Sequence, residues 1–260
     1  MIVVIGPEGF PGKGSQFDSL MPWVAVAMVA GPTISGLLMT GVVGGRAGYS
    51  DLIGRLTKWR VGPGWYAMAL LPAPLVAWLV ASAFSLTPPL FAADDKAGLL
   101  LTSLMAGLLG GLFEEIGWTG FAVPRLRLRY SVVVTGLFVG IPWGLWHLLQ
   151  GLWVSETYAG LVPLTIYLPL NLLAGIAELT AFRILMVWVY DHTRSLLVAV
   201  FMHASLIAGT LFLFAPVVSG VTFLSYCWAL DAALWLLVGA LFVAKRAWHR
   251  TGGLVSHDAR

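Results

Sequence analysis

The sequence predicts an all-α membrane protein, a polytopic bundle of about seven transmembrane helices. Hydrophobic residues make up 59% of the 260 residues and charged residues only 10%, whereas soluble domains carry roughly 25% charged residues. The mean hydropathy is +0.88. Apolar stretches of about 20 residues, the length that a helix needs to cross a bilayer, recur along the chain. Together these observations favour one helical bundle embedded in lipid.

Seven stretches satisfy the length requirement, and they divide the chain into three parts. We predict an N-terminal segment over residues 1–21, a transmembrane domain over 22–247 and a cytoplasmic tail over 248–260. The predicted spans are residues 22–43, 64–86, 97–120, 132–154, 161–187, 195–216 and 224–244.

The distribution of basic residues predicts the orientation. Of the 15 Lys and Arg residues, all except Lys13 and Lys96 lie in alternate connections, near the ends of the spans that border those connections, or after the last span. Cytoplasmic loops are enriched in Lys and Arg, so we expect the C-terminus in the cytoplasm and the N-terminus outside. The expected location is a bacterial plasma membrane. An outside N-terminus without a signal peptide is consistent with one further helix preceding residue 1.

Other features of the sequence narrow the class of function. The single Cys227 excludes an intramolecular disulfide, and no Cys/His run has the spacing of a structural zinc site. There is no basic nucleic-acid patch and no Gly-rich phosphate loop. We therefore expect the lipid bilayer and a membrane-associated protein or peptide as partners, and no nucleic acid.

Two adjacent glutamates, Glu114 and Glu115, lie inside the third predicted span. A carboxylate at the centre of a membrane helix costs about 2.5–3.5 kcal/mol, faces the interior of the bundle and marks a functional site by default. Two adjacent carboxylates resist ionising together. We therefore expect one of them to hold a proton near neutral pH and to serve in acid–base chemistry.

Two histidines are placed to meet the glutamate pair. Small residues mark the helix faces where neighbours approach closely, and residues three or four apart share a face. On this basis Glu114, His147 and His203 all face inward. The small residues that precede them at helical spacing are Gly107 and Gly111 in the third span, Gly136, Gly140 and Gly144 in the fourth, and Ala199 in the sixth.

A carboxylate and two imidazoles in a dry pocket suit three chemistries. The carboxylate could activate water for peptide hydrolysis while a histidine assists. The same groups could bind Zn²⁺, or they could relay protons or ions in a transporter. A haem bound by the two histidines would leave the glutamate pair unexplained.

The remaining intramembrane polar residues and tryptophans are interpreted as structural. Asn171 is expected to form an interhelical hydrogen bond, Glu178 to pair with Arg183, and Asp231 to make a helix–helix contact. The tryptophans are expected to pack or to lie at the membrane interface. They include Trp118, Trp143, Trp146 and Trp153.

Three blocks of the sequence resemble one family. EEIGWTGFAVPRL (114–126), PWGLWHL (142–148) and MHAS (202–205) are similar, in this order, to the motifs of the CPBP or Abi family, which includes CAAX prenyl proteases and bacteriocin-processing or immunity proteins. The resemblance implies a helical bundle, often of eight spans, and intramembrane endopeptidase activity. It implies that Glu114 activates water with Glu115 as its partner, that His147 cooperates with Glu114, and that His203 lies near the substrate carbonyl.

The sequence departs from the family pattern at two positions. Thr119 stands where the pattern keeps an arginine, and Ile207 stands where it keeps an Asn or Asp that is thought to stabilise the oxyanion. Losing one such donor typically lowers the rate by about 10²–10³. Ser205 or a backbone N–H could replace it. Otherwise the protein is a non-catalytic immunity-type or transport protein of the same fold.

The family has been described both as metalloproteases and as glutamate proteases. Glu114, His147 and His203 would be the ligands of a zinc ion. We favour the metal-free interpretation, with no cofactor, because the second glutamate is better explained as an electrostatic partner of the first than as a zinc ligand.

Overall fold

The structure is a computed structural model that describes residues 17–252, without the side chains of residues 17–21, 154 and 244–252. Over this part of the chain there are helices and no strand, so the predicted all-α class is confirmed. Most of the predicted N-terminal segment and tail lies outside the described residues. The helices are Phe17–Leu56 (α1), Pro63–Leu70 (α2), Pro72–Ala83 (α3), Pro89–Ala92 (α4), Lys96–Gly117 (α5), Val123–Leu126 (α6), Val132–Trp146 (α7), Leu148–Tyr158 (α8), Leu164–Thr193 (α9), Leu196–Leu206 (α10) and Gly220–Gly252 (α11).

Five stretches of helix are long and apolar enough to cross a bilayer, and two bent pairs bring the number to seven if each pair forms one span. The bent pairs are α2 with α3 and α7 with α8, whose axes diverge by 40° and 52°. Each predicted span overlaps one of these seven, which confirms the predicted bundle. The continuous stretches are Pro22–Leu56, Lys96–Leu126, Leu164–Thr193, Leu196–Leu213 and Gly220–Val243.

The first helix extends well past its predicted end at residue 43. It kinks at Gly45, whose φ of 53° suits glycine, and then continues to Leu56. An ion pair at i, i+4 between Asp51 and Arg55 (2.8 Å) supports its last turns. The Arg55 guanidinium also donates to the carbonyl oxygen of Gly120 (2.9 Å) and to the hydroxyl of Tyr190 (3.0 Å). These contacts fix the end of α1 against the middle of the bundle.

The three helices that carry the predicted site begin at side chains that cap them. Asp95 accepts a hydrogen bond from the backbone N–H of Gly98 at the start of α5 (2.8 Å). Ser131 and Ser195 cap α7 and α10 in the same way. Such caps satisfy backbone donors that a helix start otherwise leaves unpaired. The sequence thereby fixes where each of these helices begins, and hence where its polar residues lie.

The fourth predicted span, residues 132–154, consists of two helices with a break between them. Pro142 lies inside α7, where it cannot donate a backbone hydrogen bond. The helix ends at Trp146, and α8 starts at Leu148 in a new direction. His147 is the junction residue between them, with non-helical backbone angles (φ −87°, ψ 7°). The break therefore places this imidazole at a corner of the bundle.

Helix α9 lies at the centre of the bundle, and glycines bring α7 close to it. A Cβ on Gly140 would lie 2.7 Å from the Cα of Thr180, and one on Gly144 would lie 2.8 Å from the Cα of Ile176. Gly111 in α5 is equally close to the backbone of Val200 in α10. The small-residue faces predicted from the sequence are therefore the faces on which these helices meet.

Candidate active site

The helices bring the four predicted site residues together. Glu114 and Glu115 lie in the last turn of α5, His203 lies near the end of α10, and His147 lies at the corner between α7 and α8. Both glutamates and His203 are buried, with exposures of 3%, 0% and 1%. His147 is partly buried. Trp143 connects the two histidines, because its ring lies edge-on to both, with centroid distances of 6.0 Å to His147 and 4.9 Å to His203.

Both carboxylate oxygens of Glu115 have hydrogen-bonding partners. Arg183 donates to both carboxylate oxygens, at 2.8 and 2.9 Å. The Nδ1 atom of His203 lies 2.7 Å from one oxygen, and the hydroxyl of Thr119 donates to the other. We expected one glutamate of the pair to hold a proton, and for Glu114 this stays a prediction. The charge of Glu115 is balanced by the Arg183 guanidinium, so this carboxylate is engaged and unsuited to act as a base.

Arg183 is the functional-site residue that the sequence analysis missed. It was expected to pair with Glu178, but it is fully buried and bonded to Glu115. Its guanidinium also lies over the Trp143 ring, 4.0 Å from the ring centroid, in a cation–π contact. The depth of Arg183 in the predicted span could have identified it as a site residue. Arg183 precedes the basic helix end at Arg194 by eleven residues, about 16 Å along a helix, and a cation that deep requires a buried carboxylate.

Thr119 is integrated into this network despite departing from the family pattern. Its hydroxyl bonds to Glu115 and lies 3.4 Å from a nitrogen of Arg183. The guanidinium in this network comes from Arg183 of α9, and position 119 contributes a hydroxyl. Part of the polar support that the sequence left in doubt is present, supplied by a different helix.

Glu114 has a different environment from its neighbour. Its one hydrogen bond among the described residues comes from the indole N–H of Trp143, at 2.9 Å. This leaves one carboxylate oxygen without a protein donor. Trp143 was expected only to pack, and its contact with Glu114 corrects that interpretation. Of the two glutamates, Glu114 is therefore the one with capacity to accept a further hydrogen bond, such as one from water.

The contacts of the histidines indicate which ring nitrogen is available. The Nδ1 atom of His147 lies 2.8 Å from the backbone carbonyl oxygen of Trp143. A carbonyl only accepts, so Nδ1 carries the proton and Nε2 of the neutral ring is an acceptor. In His203, Nδ1 donates to Glu115 in the same way. Both rings are thus oriented by their Nδ1 bonds, and both present Nε2 for chemistry.

A cavity of about 190 Å³ lies beside these rings. Its wall includes His147 and His203, together with Ile207, which provides no hydrogen-bond donor from its side chain. Ser205 does not replace the missing donor, because its hydroxyl donates to the carbonyl oxygens of Ala69 and Met202. The expectation that Ser205 could substitute is therefore wrong, and the polar residue that α10 contributes to the cavity wall is His203.

The other intramembrane polar residues have mixed outcomes. Asn171 donates to the hydroxyl of Ser155 in α8 (3.0 Å), so its predicted interhelical hydrogen bond is confirmed. Asp231 is buried, and neither of its carboxylate oxygens has a hydrogen-bond partner among the described residues. Glu178 lines the cavity.

A short π-helical segment follows each of the helices α5 and α10. The segment Trp118–Ala122 after the glutamates and the segment Ile207–Leu213 after His203 are π-helical. Single π-helical turns are rare and often occur at functional sites. The first segment contains Thr119, which bonds to Glu115.

The described residues contain no group of three His, Cys, Asp or Glu side chains arranged to hold a metal ion. The zinc ligand set considered from the sequence, Glu114, His147 and His203, does not form a preorganised site of this kind.

Comparison with known proteins identifies a related family for the part of the chain that carries the site. Residues 96–209 match the family model described as type II CAAX prenyl endopeptidase Rce1-like. The predicted family resemblance is confirmed. The Rce1-like segment begins with α5 and includes both glutamates, both histidines and Arg183. A 40-residue stretch is also 48% identical to CAAX prenyl protease 2 of Methanococcus maripaludis. That stretch covers 15% of this chain and 15% of the relative.

Proposed function

We propose that this integral membrane protein is an intramembrane endopeptidase that hydrolyses peptide bonds in a membrane-associated or lipidated protein or peptide. The observation that carries the proposal is the unequal environment of the two glutamates. Glu115 is neutralised by Arg183 and bonded to His203, whereas Glu114 keeps an oxygen without a protein donor. The similarity of residues 96–209 to CAAX prenyl endopeptidases supports the same reaction class.

Glu114 acts as the base in this mechanism. Its unbonded oxygen accepts a proton from water, and the water oxygen attacks the carbonyl carbon of the scissile peptide bond. The indole of Trp143 holds the other oxygen and orients the carboxylate. When the tetrahedral intermediate collapses, the proton taken up by Glu114 passes to the leaving amine, and the C–N bond breaks. His147, within electrostatic range of Glu114, assists this proton transfer.

His203 stabilises the oxyanion. Its Nδ1–H bond to Glu115 fixes the ring, and Nε2, when it also carries a proton, donates to the developing negative charge. Arg183 is a positioning residue, because it contacts Glu115 and the Trp143 ring and no reacting atom. This assignment gives His203 the role that an amide side chain at position 207 would otherwise share.

The experiment compares purified protein with the Glu114→Gln variant on membrane-anchored peptide substrates. Glutamine keeps the shape and the hydrogen bond from Trp143 but is not a base, so cleavage is expected to fall by about 10²–10⁴. Glu156→Gln, at an exposed position on α8, is the matched control and is expected to retain activity. Equal cleavage by wild type and Glu114→Gln would refute the proposal.

The proposed orientation places the arginine-rich connections and the C-terminus in the cytoplasm of a bacterial cell. A cysteine introduced at exposed Arg60 in a Cys227→Ser background tests it. We expect a membrane-impermeant maleimide to label this cysteine only after the membrane is permeabilised. Labelling of intact cells would show that the protein has the opposite orientation.

A further inference from the structure

The cavity beside the histidines contains a carboxyl group that the proposed mechanism does not use. Glu178 lines the same cavity as His147 and His203. It lies on α9, five residues before Arg183. A carboxyl group inside a membrane bundle that adjoins a reaction site is expected to have a function.

No cationic side chain among the described residues balances Glu178. Within the described part of the chain it forms no ion pair, and Arg183 is committed to Glu115. The groups beside it are the Thr210 hydroxyl and a second carboxyl, that of Asp231. Asp231 is 3% exposed, and both of its oxygens lack partners. Among the described residues, neither carboxyl has a cationic side chain to balance it, so a cation entering the cavity at Glu178 would be its first partner.

The position of the cavity explains the absence of a cation. None of its lining residues is Lys or Arg. Its walls come from the end of α7, the first half of α9 and the segment after His203, whereas the basic connections lie at the opposite ends of those helices. The rest of the wall is largely apolar and includes Leu172, Leu206 and Phe223.

An acidic group on an apolar wall matches one kind of substrate side chain. Lys and Arg combine an apolar stem with a charged head, and a buried charge is favourable only when it is paired. We propose that Glu178, supported by Asp231, determines specificity by binding a Lys or Arg side chain of the substrate close to the scissile bond. This inference rests on the proposed peptide hydrolysis and names the substrate class for it.

The test uses the full-length protein and matched peptides in which one residue near the scissile bond is lysine or uncharged norleucine. Wild-type protein is expected to cleave the lysine peptide with the higher kcat/KM. In Glu178→Gln the ratio of the two kcat/KM values is expected to fall by roughly tenfold or more, since a hydrogen bond to a charged group is lost. Glu178→Asp should keep part of the preference, and Glu156→Gln should keep all of it.

Binding provides a second measurement that needs no catalysis. Fluorescence anisotropy of both labelled peptides is measured with Glu114→Gln and with the Glu114→Gln/Glu178→Gln double variant. Weaker binding of the lysine peptide alone in the double variant supports the inference even if no peptide is cleaved, in which case hydrolysis is refuted. Cleavage or binding that is indifferent to lysine, or unaffected by Glu178→Gln, overturns the inference and leaves hydrolysis standing.

Discussion

Arg183 on α9 donates hydrogen bonds to both carboxylate oxygens of Glu115 on α5, and the two residues are 68 positions apart in sequence. Both side chains are fully buried. Removing one partner of such a pair leaves an uncompensated charge in the interior, which costs more than the pair contributes when intact. The pair therefore ties the stability of the bundle to the geometry of the candidate site.

Replacing Arg183 with methionine is expected to destabilise the protein by about 3–5 kcal/mol, because Glu115 is left unpaired. Thermal unfolding in detergent measures this loss. The double variant Glu115→Leu/Arg183→Met removes both charges and is expected to recover much of the stability without recovering cleavage. A single Arg183→Met variant as stable as wild type would contradict the buried ion pair.

The two glutamates are expected to respond in opposite ways to substitution by glutamine. Glu115→Gln weakens its bond with Arg183 and should lower the unfolding temperature. Glu114→Gln removes only the base and should leave the unfolding temperature nearly unchanged while cleavage is lost. Unfolding and activity measurements on both variants check this. If Glu114→Gln lowered the unfolding temperature and Glu115→Gln lost only cleavage, Glu115 would be the base and Glu114 the structural partner.

Trp143→Phe separates the two contacts of the indole. Phenylalanine keeps an aromatic face for Arg183 but cannot donate to Glu114. We expect kcat to fall by about tenfold with little change in KM, because the orientation of the base is lost while the cavity is kept. Trp146→Phe is the matched control, since its indole donates to the backbone of Met28 and not to the site. Equal effects of the two substitutions would show that Trp143 only packs.

Introducing a donor at position 207 is expected to speed the reaction. Ile207 lines the cavity four residues after His203, and Ile207→Asn would add a side-chain amide near the proposed oxyanion. We expect kcat to rise by about tenfold or more, with KM little changed. Ile207→Leu controls for altered packing. A loss of activity in a stably folded Ile207→Asn protein would argue against an oxyanion at this place.

Chelation tests the metal-free mechanism. We expect EDTA and 1,10-phenanthroline to leave the cleavage rate of the purified protein unchanged, because Glu114 alone supplies the base. Inhibition that depends on chelator concentration and is reversed by added Zn²⁺ would favour the metal-dependent alternative.

The sequence predicted the parts of the fold and site that depend on local pattern. Hydropathy located the spans, and glycine spacing identified the faces of α5 and α7 that pack against neighbours. The sequence analysis did not predict that Arg183 is the partner of Glu115. Arg183 lies close to Glu178 in sequence, so a pair within one helix was favoured over an ion pair between different helices. The break at His147 was also missed, since an apolar sequence with one proline is equally consistent with a kinked helix.

The glycines of α7 have a consequence for how this protein tolerates variation. A methyl group at Gly140 would meet the backbone of α9 and the Cβ of Arg183, and the helix would have to move away with its guanidinium. In a random library, inactivating changes are therefore expected to accumulate at Gly136, Gly140 and Gly144 as they do at the acidic residues. Redesign of this protein for another substrate must hold these three positions constant, although none carries a functional group.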